Sequence, residues 1–256
     1  MKLRSMFNLT INKNVILACQ ITGIYDVNRN EILPNNDYSL IRDWCESIIN
    51  LELQGIIFHN NYAETFCDRL SNKNIQFIKI EYNDNFKPNV YRYLMYRDFL
   101  KFYVNQIESV FLTDISDVVV TQNPFEDPFF KANIGFIFCG DEPKKLDNEW
   151  MKNHSEHLRN KIDDYAKYEE NFKDNTLLNC GIIGGNVGVM NEFIEKLSTI
   201  HQQYNFDNIA SYTGDMGAFN YLIRTQYDDK ILYGFPINTE FKAYQIERVD
   251  CWFRHK

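Results

Sequence analysis

The chain has 256 residues, of which 45% are hydrophobic, enough to form one large core. Its formal net charge of -8 excludes a general nucleic-acid binder, because contacts to phosphate backbones require an excess of Lys and Arg. Its six cysteines are widely spaced without a CxxC pair, which favours reduced thiols over a disulfide framework or a zinc site. We therefore expect a single cytoplasmic domain over residues 1–256, without a signal peptide or a membrane span.

The first third of the chain alternates strand-like and helix-like segments. Residues 15–21 (VILACQI) form an apolar run of strand length, and residues 37–53 place their apolar side chains on one helical face. An amphipathic segment then separates two further strand-like runs, at residues 55–60 and 75–82. Strands and helices in this order predict an α/β fold with a mostly parallel central sheet and crossover helices.

Residues 89–104 are predicted to form a helix that carries Arg97 on its apolar face. A buried guanidinium requires an anionic partner. One interpretation is an internal salt bridge to one of two acids further along the chain, Asp114 or Asp117, with Asp98 excluded. The other is a phosphate ligand, and the sequence supports both equally.

The two acids lie in residues 110–125 (VFLTDISDVVVTQNPF), where Asp114 and Asp117 stand between two strand-like runs. Neighbouring carboxylates repel each other unless a positive group lies between them. The placement therefore predicts a cation, a basic side chain or an exposed loop at this position.

The middle of the chain continues with a predicted strand at residues 133–142 and a polar segment at residues 143–174. The polar segment is consistent with a helix and a mobile loop over a site. It contains His154 and His157, which we assign to a solvated helix face. A further predicted strand, residues 181–183, is followed by two glycines that permit close backbone approach.

Residues 212–227 have apolar side chains at helical spacing, with Thr213 and Gly214 as candidate caps. Asp215 then falls in the first turn, where the helix dipole stabilises a carboxylate. On spacing alone, Asp215 is explained as ordinary helix-start chemistry, and His255 near the chain end as an ordinary surface histidine.

Together these segments resemble GT-A type glycosyltransferases, most closely the retaining, glycogenin-like branch and related plant and microbial sugar transferases. That family carries a strand ending in a metal-binding DxD motif, then an apolar run and a turn ending in Phe. Residues 111–125 match this shape with one additional residue between the acids, which makes the motif DxxD. Asp117 matches the second acid and is implied to bind metal. Asp114 matches the first and is implied to touch metal, ribose or Arg97.

The resemblance also implies roles for other positions. Arg97 matches, by its distance from the strand, the basic residue that holds the donor diphosphate. The sequence NCG at residues 179–181 is similar to the family's N[ST]G segment, which implies that Asn179 and Gly181 contact the donor sugar. The sequence GDM resembles the start of the GDQxxxN pattern, and Asp215 is the implied carboxylate beside the reacting sugar.

His255 matches the downstream metal-ligating histidine of the family. The motif around that histidine is cut by the chain end, which implies a longer native chain. Two carboxylates and an imidazole suit Mn²⁺, or alternatively Mg²⁺. Thr22 and Tyr25, at the end of the first predicted strand, are expected to bind base and ribose.

The resemblance thus implies a GT-A (Rossmann-like) enzyme that moves a hexose or pentose from a nucleotide-sugar donor to a glycan or protein acceptor. A UDP-sugar and retention follow the family's habit, although an inverting enzyme would use Asp215 as general base. Two other classes fit the acidic motif. One is a nucleotidyltransferase or metal-dependent phosphohydrolase, and the other is a non-catalytic module that binds glycans or sugar nucleotides.

Overall fold

The computed structural model describes residues 9–26, 30–206 and 214–256. Within them the strands are β1 (Asn14–Gln20), β2 (Tyr25–Asp26), β3 (Glu31–Ile32), β4 (Gly55–His59), β5 (Ile75–Lys79), β6 (Ser109–Thr113), β7 (Val118–Val120), β8 (Ile137–Lys145), β9 (Thr176–Asn186), β10 (Ile231–Tyr233) and β11 (Phe253–His255). The helices are α1 (Arg42–Asn50), α2 (Glu64–Leu70), α3 (Pro88–Tyr103), α4 (Pro128–Ala132), α5 (Glu149–Arg159), α6 (Tyr165–Phe172), α7 (Val187–Tyr204) and α8 (Asp215–Gln226).

The central sheet has seven strands in the order β10-β8-β9-β6-β1-β4-β5. Strands β6, β1, β4 and β5 are mutually parallel, β8 and β10 are parallel to each other, and β9 runs antiparallel to both β6 and β8. This is the α/β class with a mostly parallel sheet that the sequence predicts. It is confirmed down to the strand, helix, strand order of the first third.

Alternate side chains of the sheet lie in two separate hydrophobic cores. In β1, for example, Val15 and Leu17 belong to the core formed with α3, α5, α6, α7 and α8, whereas Ile16 and Ala18 belong to the core formed with α1, α2 and α4. All four side chains have no exposed surface. Burial on both faces explains why the strands appear in the sequence as continuous apolar runs.

The strand order reverses at β1, because the chain proceeds from β1 to β4 and β5 on one side and then returns to add β6 on the other. Such a reversal opens a crevice beyond the carboxyl ends of the two strands, which is where ligands bind in open α/β sheets. The residues that directly follow β1 and β6 therefore face a common space.

A second, two-stranded sheet pairs β11 with β7 in antiparallel orientation, with His255 opposite Val118. The backbone N–H of Lys256 also donates to the carbonyl of Asp117 at 2.8 Å. This pairing attaches the last residues of the chain to the acidic loop after β6.

The polar segment at residues 143–174 forms the end of β8, α5 and α6, and both helices pack into the core beside α8. The assignment of His154 to a solvated face is wrong, since it is 4% exposed and its ring stacks on Trp150. The imidazole of His157 is hydrogen-bonded to the side chain of Asn205.

The candidate cap Thr213 lies outside the described residues. Among the helices of the described ranges, none has the length and apolar character needed to cross a membrane.

Candidate active site

A cavity of about 350 Å³ opens at the crevice between the carboxyl ends of β1 and β6. Its volume lies within the range of small-molecule sites, about 300–1,000 Å³. Its lining combines the ends of both strands, the start of α3 and the last residues of the chain: Cys19, Gln20, Ile21, Ile24, Tyr25, Asp26, Leu33, Lys87, Pro88, Asn89, Arg92, Asp114, Ile115, Ser116, Asp117, Lys242, Tyr244 and Lys256.

Two carboxylates and an imidazole converge at this cavity. Asp114 and Asp117 follow β6, and the β7–β11 pairing brings His255 to them, so that one ligand atom from each residue lies within 4.8 Å of the others. The Nε2 atom of His255 is 3.9 Å from Oδ2 of Asp114 and 3.9 Å from Oδ2 of Asp117. These distances are short enough for all three side chains to contact one ion.

The imidazole of His255 is held in a state that suits metal binding. It is 2% exposed, its ring contacts the ring of Phe241 edge-on at 4.5 Å, and burial lowers its pKa below the ordinary histidine value. A lowered pKa keeps the ring neutral, so a nitrogen lone pair remains available as a ligand. Carboxylate oxygens with one imidazole nitrogen form a donor set that Mn²⁺ accepts, with Mg²⁺ as the harder alternative. The residues present thus fit the cation that the resemblance implies.

Gly181 leaves room for this cluster. A Cβ atom at Gly181 would lie 2.6 Å from Oδ2 of Asp114 and 2.6 Å from Cε1 of His255. Its backbone N–H donates to Oδ1 of Asn179 at 2.7 Å. Asn179 and Gly181 thus lie on β9 next to the acids, although neither lines the cavity.

Arg92 is the cation that joins the acids. Its Nη1 donates to Oδ1 of Asp114, and its Nη2 lies 3.6 Å from Oδ2 of Asp215. Burial disfavours the charge on the guanidinium, but the Asp114 carboxylate and the surrounding acceptors outweigh it and raise the Arg92 pKa well above its ordinary value. Arg92 is therefore a permanent positive charge between two carboxylates.

Asp215 begins α8 and is 4% exposed, with Gly214 before it in the left-handed conformation at φ 69°. Besides Arg92, its Oδ2 accepts a hydrogen bond from Sγ of Cys180 at 3.6 Å. Burial, followed by the charge of Asp215, raises the pKa of the Cys180 thiol well above its ordinary value, so the thiol stays protonated and can donate. The carboxylate is thus buried but neutralised, on the opposite side of Arg92 from Asp114.

The expectation for Arg97 is wrong in two respects. Its guanidinium pairs with Asp98 at 2.8 Å, the partner that the sequence analysis excluded, and it donates to Oε1 of Gln202 on α7 at 2.9 Å. It does not line the cavity. Five residues correspond to about 140° of helical rotation and about 7.5 Å along the axis, so Arg92 and Arg97 cannot reach the same place.

Thr22 is also misplaced by the sequence analysis. Its backbone N–H donates to Asn60 Oδ1 at 2.9 Å, its carbonyl accepts from Asn60 Nδ2 at 3.0 Å, and it is 1% exposed, outside the cavity lining. Tyr25 does line the cavity and is 52% exposed. Of the two residues expected to bind base and ribose, only Tyr25 therefore lies at the cavity. Thr22 is hydrogen-bonded through its backbone to Asn60 instead.

Sequence reasoning missed several charged residues of this region, in particular Arg92, Glu142 and the cavity lysines Lys87, Lys242 and Lys256. A signal for Arg92 was available. In a parallel sheet with crossover helices, the start of a helix lies near the carboxyl ends of the strands, and Arg92 is in the first turns of α3. No pattern in the sequence pointed to Glu142 or to the lysines.

No protein-family model and no curated protein sequence matches this chain. Among solved structures, the chain is similar to the galactosyltransferase LgtC, crystallised in complex with donor and acceptor sugar analogues. The TM-score is 0.48 at 13% sequence identity, over 94% of this chain and 86% of that one. At this level the likeness carries no argument about function.

Proposed function

We propose that the protein is a metal-dependent glycosyltransferase that takes a sugar from a nucleotide-diphosphate donor. The observation that carries this proposal is the convergence of Asp114, Asp117 and His255 at a cavity beyond the carboxyl ends of β1 and β6. These residues come from the acidic loop and from the far end of the chain. These three residues are suited to hold a cation, and they lie beyond the strand ends where open α/β sheets bind ligands.

The donor in this proposal leaves as a nucleoside diphosphate, so the site must neutralise a growing negative charge. A divalent cation held by Asp114, Asp117 and His255 supplies Lewis-acid stabilisation of that charge. The ammonium of Lys256 is paired with Asp43, whereas Lys87 and Lys242 line the same cavity and add positive charge toward the diphosphate. They take the role that the sequence analysis gave to Arg97.

The reacting sugar lies, in this proposal, in the cavity beside the cation cluster, while Asp215 is 4% exposed and outside the cavity lining. Arg92 bridges Asp114 and Asp215 and sets the separation between the diphosphate end and the sugar end of the site. Asp215 stabilises positive charge on the sugar, and Asn179 and Gly181 border the same space from β9. Retention is proposed on the motif resemblance alone.

The donor is proposed to be a UDP-sugar and the acceptor a hydroxyl of a glycan or a protein, both following the motif resemblance. Tyr25, half-exposed on the cavity wall, offers an aromatic face for the nucleobase. The glycogenin-like branch likewise stays a proposal that rests on the motifs alone.

The test begins with thermal stability of the protein against UDP, GDP and other nucleoside diphosphates, with and without Mn²⁺. Ligands that bind only the folded state raise the melting temperature. We expect a shift with UDP that requires Mn²⁺ and disappears in Asp117→Ala. Incubation with UDP-glucose, UDP-galactose and UDP-xylose should then release UDP, with sugar transferred to an acceptor.

Other outcomes would assign the protein to the competing classes. Release of phosphate or pyrophosphate without sugar transfer indicates a phosphohydrolase or a nucleotidyltransferase. Metal-independent binding of sugars without turnover indicates a binding module. Absence of any nucleotide-dependent shift contradicts the proposed donor site.

A further inference from the structure

Glu142 is a buried acid next to the candidate site to which no sequence motif pointed. It lies on β8 and is 7% exposed. The pairing of β8 with β9 shifts register between Cys139 and Gly140 and again between Asp141 and Lys145, so Glu142 sits within an irregular part of the strand. Such irregularities turn side chains away from the regular alternation, and they recur next to active sites.

A continuous series of hydrogen bonds leads from Glu142 to one of the metal-site acids. Oε1 of Glu142 accepts from Nδ2 of Asn179 at 2.9 Å, and Oδ1 of Asn179 accepts from the N–H of Gly181 at 2.7 Å. The carbonyl of Gly181 then accepts from the N–H of Asp114 at 2.8 Å. Three bonds therefore connect a carboxylate on β8 with the backbone of Asp114.

The carboxylate of Glu142 decides which way the Asn179 amide faces. An ionised carboxylate only accepts hydrogen bonds, whereas an amide has one accepting and one donating end. With Nδ2 bound to Glu142, the oxygen of Asn179 must face the N–H of Gly181. Rotation of the amide would place its NH2 group against the N–H of Gly181 and its oxygen against the Glu142 carboxylate, so both hydrogen bonds would be lost. The bond to an ionised partner is the stronger of the two.

The position of Gly181 matters because it stands against both the acid and the histidine of the cluster. A Cβ at this residue would lie 2.6 Å from Asp114 and equally close to His255, so the backbone here has no free space. A displacement of Gly181 would move the Asp114 amide that it binds and would press on the imidazole.

We infer that Glu142 is a positioning residue, which fixes Asp114 and the metal-binding cluster through Asn179 and Gly181. The hydrogen-bond series is independent of what the site binds, while its consequence for metal binding rests on the proposed function. Residues that orient metal ligands through hydrogen bonds, without binding the metal themselves, commonly change metal affinity by about 10–100-fold when they are removed.

The test compares Glu142→Ala with Glu142→Gln. Glutamine loses the charge but its amide oxygen still accepts from Asn179, whereas alanine removes the acceptor. In metal-free protein, we expect the amide hydrogens of Gly181 and Asp114 to exchange about tenfold faster in Glu142→Ala, as for the loss of a buried hydrogen bond, and to keep their protection in Glu142→Gln. NMR measures both amides individually.

Gln54→Ala serves as a matched control. Gln54 is a buried amide that binds Asn12 and Thr10 at the opposite end of the sheet, so its loss destabilises the fold away from the site. We expect the amides of Gly181 and Asp114 to exchange no faster in this variant than the rest of the sheet. Unchanged protection in Glu142→Ala overturns the inference, and so does faster exchange that spreads evenly over all strands.

Binding of Mn²⁺ alone, followed by the loss of the free-ion EPR signal, gives the second measurement. We expect Glu142→Ala to bind Mn²⁺ about tenfold more weakly than wild type and Glu142→Gln to stay near wild type. If wild type binds no Mn²⁺, the proposed function loses its cation, while the exchange rates still decide whether Glu142 positions Asp114. Equal Mn²⁺ affinity in all variants, with wild type binding, overturns the link from Glu142 to the cluster.

Discussion

Helix α3 contains two arginines whose surroundings differ completely. Near the start of the helix, the Arg92 side chain is 11% exposed and holds Asp114 and Asp215 on its two sides. Further along, Arg97 pairs with its own neighbour Asp98 and reaches Gln202 on α7. The first arginine joins segments far apart in the sequence, whereas the second links two helices at the back of the site.

The contrast shows that position along and around a helix, rather than residue type, determines a role in the site. The start of α3 lies at the carboxyl edge of the sheet, where the loops after β1 and β6 supply acids and a cavity. About one and a half turns later along α3, an arginine side chain, that of Arg97, contacts the neighbouring helix α7 instead. The following predictions use matched pairs of residues from these two regions.

The largest difference is expected between Arg92→Leu and Arg97→Leu. Removing Arg92 leaves the buried Asp215 and the partly buried Asp114 without their cation, which should lower the free energy of unfolding by about 3–5 kcal/mol. Removing Arg97 breaks a pair with the adjacent residue Asp98, whose side chain is 23% exposed and can be solvated, and should cost about 1 kcal/mol or less. Urea denaturation followed by circular dichroism measures both. Losses of equal size would contradict the assignment of Arg92 as the central cation.

The acids of the two regions give the second pair. Asp117→Asn removes a charged ligand of the proposed cation. Residues that only hydrogen-bond to metal ligands already change metal affinity by about 10–100-fold, so we expect Mn²⁺ binding, measured by titration calorimetry, to weaken about 100-fold. Asp98→Asn changes only the partner of Arg97 and should leave the affinity unchanged. Similar weakening in both variants would mean that general negative charge, rather than a defined site, attracts the metal.

Two neighbouring residues of α7 extend the comparison to pH. His201 is completely buried against Tyr93, and burial lowers its pKa to about 3. In the unfolded chain the pKa of His201 is about 6.5. Between about pH 6.5 and 3 the unfolded chain therefore binds a proton at His201 that the folded protein does not bind, and the free energy of unfolding falls as the pH drops through this range. At pH 5 this histidine should cost about 2 kcal/mol relative to neutral pH.

His201→Gln should therefore make the unfolding free energy less dependent on pH between 6.5 and 5, by about 1.1 kcal/mol per pH unit. Gln202→Ala, which removes only the partner of Arg97, should keep the slope of wild type. Denaturation curves at several pH values provide the slopes. An unchanged slope in His201→Gln would show that this ring is protonated in the folded protein.

The smallest effect is expected from a pair of glycines. Gly181→Ala places a methyl group 2.6 Å from Asp114 and His255, and should weaken Mn²⁺ binding about tenfold, or about 1.4 kcal/mol. Gly188→Ala, at the start of α7, meets only Oδ1 of Asn186 at 3.3 Å and should leave the affinity unchanged. If Gly181→Ala binds Mn²⁺ as wild type does, the close fit around the cluster is not required for binding.

The local features of the site could be predicted from the sequence. Asp114 and Asp117 follow an apolar run, and that run becomes a strand that ends at the edge of the sheet. Asp215 precedes residues at helical spacing and does begin α8. The pairing of His255 with these acids was expected only from resemblance, because β11 and β7 are far apart in the sequence.

Choosing the right arginine required information that local patterns do not contain. Both Arg92 and Arg97 lie in the same amphipathic segment, and the distance from the strand favoured the wrong one. The sequence likewise gave no signal for Glu142, because its orientation depends on a register shift between β8 and β9. Thr22 follows β1 as expected, yet its backbone bonds to Asn60 hold it away from the cavity.

The sequence by itself determined the α/β class, the order of strands and helices, and the acidic loop after β6, because apolar periodicity and chain order are local properties. The tertiary structure decided which polar side chains lie together at the site. Arg92 and the cavity lysines reach the cavity, and Glu142 and His255 reach the residues beside it, through helix phase and strand register. Those depend on packing between segments distant in the chain, where burial of apolar surface fixes the backbone and thereby the direction of every polar side chain.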